Sequence, residues 1–189
     1  MSIAHETVFP DLEGIDFPDE DRVYDIIDGR PVEKPYMGVE ADLVAGELFH
    51  LIKGFAGGKL GLCFPGTTGY QIFADRPRLV RVPDVSFIRA ERISAGSLRG
   101  GYLRVVPDLI AEVISTHDKA LNVEERLNDF LAAGVPLAWL LYSNTRHVSV
   151  FHQGTPALRL GPGDILDGED ALPGFSCPVS DLFALLGPV

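Results

Sequence analysis

The chain has 189 residues, 46% of them hydrophobic, and its 16 Lys+Arg against 27 Asp+Glu give a formal net charge of −11. These are the proportions of a folded domain with a sizeable core, and they exclude a wholly disordered chain, a collagen-like repeat and a basic nucleic-acid tail. No apolar run reaches the roughly 20 residues of a membrane helix, residues 1–6 lack signal-peptide features, and Cys63 and Cys177 stand in no ligand spacing, so a cytoplasmic protein is expected.

Residues 1–22 are acidic and punctuated by Pro10 and Pro18, and read as an arm that leads into a single domain over 23–189. A short strand over 23–27 enters a tight turn at Asp28-Gly29, with a partner strand near 31–34. Apolar residues recur at helical spacing over 39–55, from Val39, Leu43 and Val44 to Ile52 and Phe55, and Gly57-Gly58 ends that helix. Three strand candidates follow, around 60–64, 70–73 and 80–88, the last broken at Pro83. Residues 108–114 form an apolar run interrupted by one glutamate, which suits a strand buried on both faces. A second helix over 122–133 carries Val123, Arg126, Leu127 and Phe130 along one side and stops at Gly134. A buried strand over 137–142, a hairpin over 146–160 and a short apolar C-terminal helix complete the chain. The order predicts one α/β domain with a mixed sheet.

Charge is unevenly spread. Residues 1–50 are net −10, residues 51–110 net +5, and residues 111–189 net −6. The basic third holds Arg76, Arg78, Arg81, Arg89, Arg92, Arg99 and Arg104. A solvated, arginine-rich surface is the plain reading, and a phosphate-facing ridge is the sharper one.

The chemistry falls to carboxylates. There is no GxxxxGK loop, no GxGxxG and no GxSxG elbow, and the five histidines (His5, His50, His117, His147, His152) form no HxxxH or HxH pair. Asp84 lies in an otherwise strand-like segment after Pro83, and Glu112 interrupts the buried run. Either alone reads as a turn former or an ion-pair partner. Together, on two neighbouring strands, they describe two hard oxygen ligands converging on one cation.

Pro83-Asp84, a loop, and then Glu112-Val113-Ile114 resembles the PD-(D/E)XK nuclease arrangement. More closely, residues 23–186 resemble the Uma family of bacterial restriction-endonuclease-like proteins. The likeness rests on Tyr24-Asp25-Ile26-Ile27-Asp28-Gly29, Gly69-Tyr70, Pro83-Asp84-Val85-Ser86-Phe87, Pro107-Asp108 through Ser115, Ala133-Gly134-Val135-Pro136 with Trp139, and Leu172-Pro173-Gly174-Phe175. It implies a restriction-endonuclease-like mixed sheet flanked by helices, with extra hairpins at both ends. It also implies a metal-dependent endonuclease acting on DNA, with Asp84 and Glu112 binding magnesium or manganese and Asp25 near the same site as a further ligand. Three positions depart from the pattern. Ile114 stands where the simple motif has lysine, and the family's helix lysine aligns with Arg126, which can stabilise phosphate charge but cannot act as a base near neutral pH. Ala41 stands where the family places a histidine. The rival readings are a weakly active or inactive nuclease fold that binds or assembles, and a structural oligomer in which Glu112 pairs with Arg81 or Arg126. A homodimer is expected, since a two-fold axis presents two sites to two strands.

Overall fold

The computed structural model of the protein describes residues 9–12, 14–114 and 120–187. Most of the expected arm, residues 9–12 and 14–22, is described, and Leu12 packs with Ile26 and Val80 in a small core of its own. His5, His117 and Ser115 lie outside the described residues.

Strands β1 (Tyr24–Ile27) and β2 (Arg30–Glu33) form a separate antiparallel hairpin, Asp25 opposite Val32. Its two-residue turn has Asp28 at φ 52° and Gly29 at φ 79°. Two successive left-handed residues match the twist of a hairpin, which is why Asp-Gly stands there. Helix α1 (Val39–Ala56) follows, and buries Ala41, Val44, Leu48 and Ile52 along one side.

The main sheet has six strands in the order β3-β4-β5-β6-β7-β8: Gly61–Pro65, Val85–Arg89, Leu109–Ile114, Leu137–Tyr142, His147–Phe151 and Leu158–Leu160. Only β5 and β6 run parallel, and helix α2 (Ala120–Ala132) makes the crossover that a parallel pair requires. A small hairpin of β9 (Ile165–Asp167) and β10 (Ser176–Pro178), then α3 (Val179–Leu182), closes the chain. The mixed sheet, flanking helices and extra hairpins are those expected from the sequence.

Alternation along the central strands divides the core. Val85, Phe87, Leu109, Ala111 and Val113 pack with α1 and the C-terminal elements. Ile88 and Ile110 pack on the other face with Leu127 and Phe130 of α2. By the period of two, Asp84 and Glu112 belong to this α2 face. Apolar strands wrapped on both sides thus bring two carboxylates to the end of a buried sheet. Phe130, fully buried against Tyr70 and Phe73, fixes the roll of α2, and its loss costs about 3–5 kcal/mol.

Two strand expectations are corrected. Residues 70–73 and 80–83 form no regular strand; Tyr70 makes isolated bridges to Arg81 and Leu103, and Val80 bridges Ile26. The sequence there is apolar because it is buried, and Pro77 and Pro83 remove the N–H groups a ladder needs. Strand β4 therefore starts at Val85, beyond Pro83. Just outside the ladder, the Val113 amide donates to Asp84 Oδ2 at 2.8 Å, a side chain serving where a backbone carbonyl would in a longer strand.

Candidate active site

The last β4–β5 ladder pair is Val85 with Ala111, so one step further Asp84 faces Glu112. Both are buried. Ionised carboxylates out of water require partners, and the chain supplies two cations. Lys34, which leaves β2, donates from Nζ to Asp84 Oδ1 at 2.9 Å and to the Val82 carbonyl at 2.6 Å. The same Nζ lies 4.0 Å from Glu112 Oε2. Arg126 of α2 donates to Glu112 through Nε at 3.3 Å and Nη2 at 3.1 Å. Arg126 thus faces inward, as the helical spacing requires, and the group it meets is Glu112. That is the pairing expected of a structural ion pair, with Arg126 and not Arg81 as the partner.

Asp25 sits in a second knot of charge. Its Oδ2 accepts from Arg81 Nη1 and its Oδ1 from the Val82 amide, each at 2.9 Å. Arg81, almost fully buried, also bonds Asp129 and Glu125 of α2, and Asp129 takes a further bond from Arg76. Both Asp25 oxygens are therefore engaged, and no three His, Cys, Asp or Glu side chains gather as a metal-binding group among the described residues. The knot ties the hairpin to α2 and so sets the face on which Arg126 approaches Glu112.

These contacts also decide the arginine-rich third. Arg89 and Arg92 both bond the buried Asp108, and Arg104 bonds Gln71. Several of these arginines are spent on the chain's own acids and amides, not on a bare phosphate ridge.

Burial pushes the Glu112 carboxyl up to about 7; Asp84 adds to the rise, while Lys34 and Arg126 oppose it. Burial disfavours the charged form of Lys34, but Asp84 and Glu112 outweigh it and raise the ammonium, so it stays protonated at neutral pH. The donor set suits a small hard cation. Magnesium takes one or two carboxylates and keeps water on its other positions, and two carboxylates here already share one cation, the Lys34 ammonium.

Lys34 is the residue that sequence reasoning passed over. The resemblance points to the strand position after Glu112 and to α2 for a lysine, whereas the lysine beside the two acids comes from the hairpin. The signal was present: in the β1–β2 register Val32 faces Asp25, and Lys34, two residues on, shares that face.

A cleft of about 390 Å³ opens beside the pair, between α1, the end of β2 and the turn after β3. Asp84, Lys34 and Arg126 form part of its wall, with Tyr36, Phe49 and Thr67 further out.

A six-stranded mixed sheet with one acid on a central strand and another at the start of its neighbour is the layout of a nuclease-type α/β protein. The chain belongs to the Uma2 family, described as "putative restriction endonuclease", whose model matches residues 9–180. The fold is also that of a crystal structure from Anabaena variabilis, described as "a putative nuclease belonging to DUF820", at TM-score 0.78 and 17% identity. The match covers 90% of this chain and 94% of that one. No curated protein matches. No helix among the described residues is long and apolar enough to cross a membrane.

Proposed function

We propose that the protein is a metal-dependent endonuclease that hydrolyses phosphodiester bonds in DNA, with Asp84 and Glu112 holding magnesium or manganese. One observation carries this reading. In a nuclease-family fold, two buried carboxylates, Asp84 just before β4 and Glu112 on β5, share a cation, Lys34 Nζ being 2.9 Å from one and 4.0 Å from the other, beside an open cleft. When bound, the metal would polarise the phosphodiester and lower the pKa of an attacking water. Lys34 supplies fixed positive charge. Held protonated by its two acids, it stabilises charge developing on a phosphate and does not act as a base. Arg126 grips both oxygens of Glu112 and keeps that carboxylate turned toward Asp84, which makes it a positioning residue. Asp25 acts at one remove, through Arg81 and its hold on α2.

A second reading is a nuclease fold that binds without cleaving. It is favoured by the fact that all four oxygens of Asp84 and Glu112 are already bonded within the chain. Incubation with supercoiled plasmid separates the two. The endonuclease reading expects manganese-dependent nicking by the wild type, none with chelator and none by Glu112→Gln. A wild type that leaves the plasmid intact, or a Glu112→Gln variant that nicks as well, defeats it.

A further inference from the structure

We propose that the cleft beside Asp84 receives one unstacked nucleotide of a single-stranded nucleic acid, its base against Tyr36 and Phe49 and its phosphate toward Lys34. This deepens the reading of the site as a phosphodiesterase and rests on it.

Three observations lead there. The first is charge. Affinity for duplex comes mainly from cations that neutralise successive phosphates. The basic residues lining the cleft are Arg22, Lys34 and Arg126, and each already has an acid. Arg22 pairs with Asp19 and Glu33, Lys34 with Asp84, and Arg126 with Glu112. Asp21 and Asp42 add negative charge to the same wall. A duplex backbone finds no cationic track here, so affinity has to come from the cleft itself.

The second is the surface on offer. Tyr36 is 69% exposed, although it is a large aromatic at the mouth of a cleft. The Arg22 guanidinium lies 3.9 Å from its ring centroid and backs the ring. Phe49 and Met37 line the same space, with Thr67 as a hydroxyl partner. An aromatic platform with a few polar groups suits a nucleobase, and stacking needs no particular base. The volume, about 390 Å³, lies within the small-ligand range and is too small for a double helix.

The third is Gly46. It lies inside α1 on the cleft wall, where a glycine costs about 1 kcal/mol relative to alanine. It has no left-handed φ, and a Cβ built on it meets nothing within 4 Å. Neither backbone strain nor close packing requires a glycine there. Its effect is to leave the cleft open.

Binding of a fluorescein-labelled thymidine oligonucleotide, single-stranded or annealed to its complement, is measured by anisotropy in chelator at one salt concentration. The single strand is expected to bind at least about tenfold more tightly than the duplex. Tyr36→Ala should weaken single-strand binding by about 5- to 150-fold, the range for one lost stacking partner. Gly46→Leu should weaken it at least as much while melting no lower than the wild type. Equal binding of duplex and single strand, no binding of either at micromolar protein, or unchanged binding by Gly46→Leu overturns the proposal. Single-strand binding that Gly46→Leu abolishes, in a protein that cleaves nothing, supports the cleft and removes the hydrolytic reading instead.

Discussion

Replacing Lys34 with methionine tests the charge arrangement at its centre. The stem length is kept and the ammonium is lost, so among the described residues Glu112 keeps Arg126, while Asp84 loses its cation and keeps the Val113 amide. The side chains of Lys34 and Asp84 are 10% and 6% exposed, so this is a buried pair broken from one side, which costs about 3–5 kcal/mol. In a chain of this length each kcal/mol moves the melting temperature by about 2–4 °C. Lys34→Met should therefore melt about 6–20 °C below the wild type near pH 8. The deficit should shrink toward pH 5, because Glu112, already raised to about 7 in the wild type, then takes a proton and the excess negative charge disappears. Manganese should restore much of the loss. A ligand at one hundred times its Kd stabilises by about 2.7 kcal/mol, and with no ammonium competing for the carboxylates the gain should exceed that of the wild type. Thermal unfolding followed by circular dichroism, with manganese and with chelator, reads all three effects. A variant melting within a degree or two of the wild type, or an equal manganese shift in both proteins, would mean that the Lys34 ammonium does not hold the two acids together.

In metal-free protein, a raised Glu112 binds its proton more tightly folded than unfolded, so stability falls as pH rises from about 4.5 to about 7. The size is roughly 3 kcal/mol; urea titrations across that range should show the slope in the wild type and lose it in Glu112→Gln, and equal slopes would contradict it. Phe130→Ala should lower stability by about 3–5 kcal/mol, checked by urea unfolding, and a loss below 1 kcal/mol would mean α2 is not seated on this residue. Burial raises the Cys63 thiol to about 12 and the Cys177 thiol to about 11, so neither should react quickly with a disulfide reagent at pH 8 until the protein is unfolded. A fast-reacting thiol in the native protein would contradict that burial.

Regular, two-sided burial made much of the fold legible. The run over 109–114 and its parallel neighbour over 137–142 are apolar because both faces are covered, and α1 and α2 announce themselves through one-sided periodicity. The stretches 70–73 and 79–83 misled for the same reason: they are as buried as strands, yet Pro83, which lacks an N–H, and the Gln71 side chain, which bonds the carbonyls of Pro10 and Pro77, stand where a ladder would be. At the site, Asp84 and Glu112 were visible as acids in apolar surroundings, and the inward face of Arg126 followed from helical spacing. The hairpin register puts Lys34 on the face of Asp25, but its meeting with Asp84 depends on that hairpin folding across to the sheet, a contact 50 residues apart in sequence. Asp25 could be placed near the site, but its engagement by Arg81 depends on the irregular segment that pattern alone did not predict.

Calorimetric titration of manganese into the wild type and Glu112→Gln reads out whether Asp84 and Glu112 form a divalent-cation site. Glu112→Gln keeps the shape of the side chain and mimics its protonated form, so its fold should survive, as circular dichroism can verify. Saturable binding by the wild type and its loss in a folded Glu112→Gln are expected. Absence of binding by the wild type, or the same isotherm for both proteins, would contradict that site.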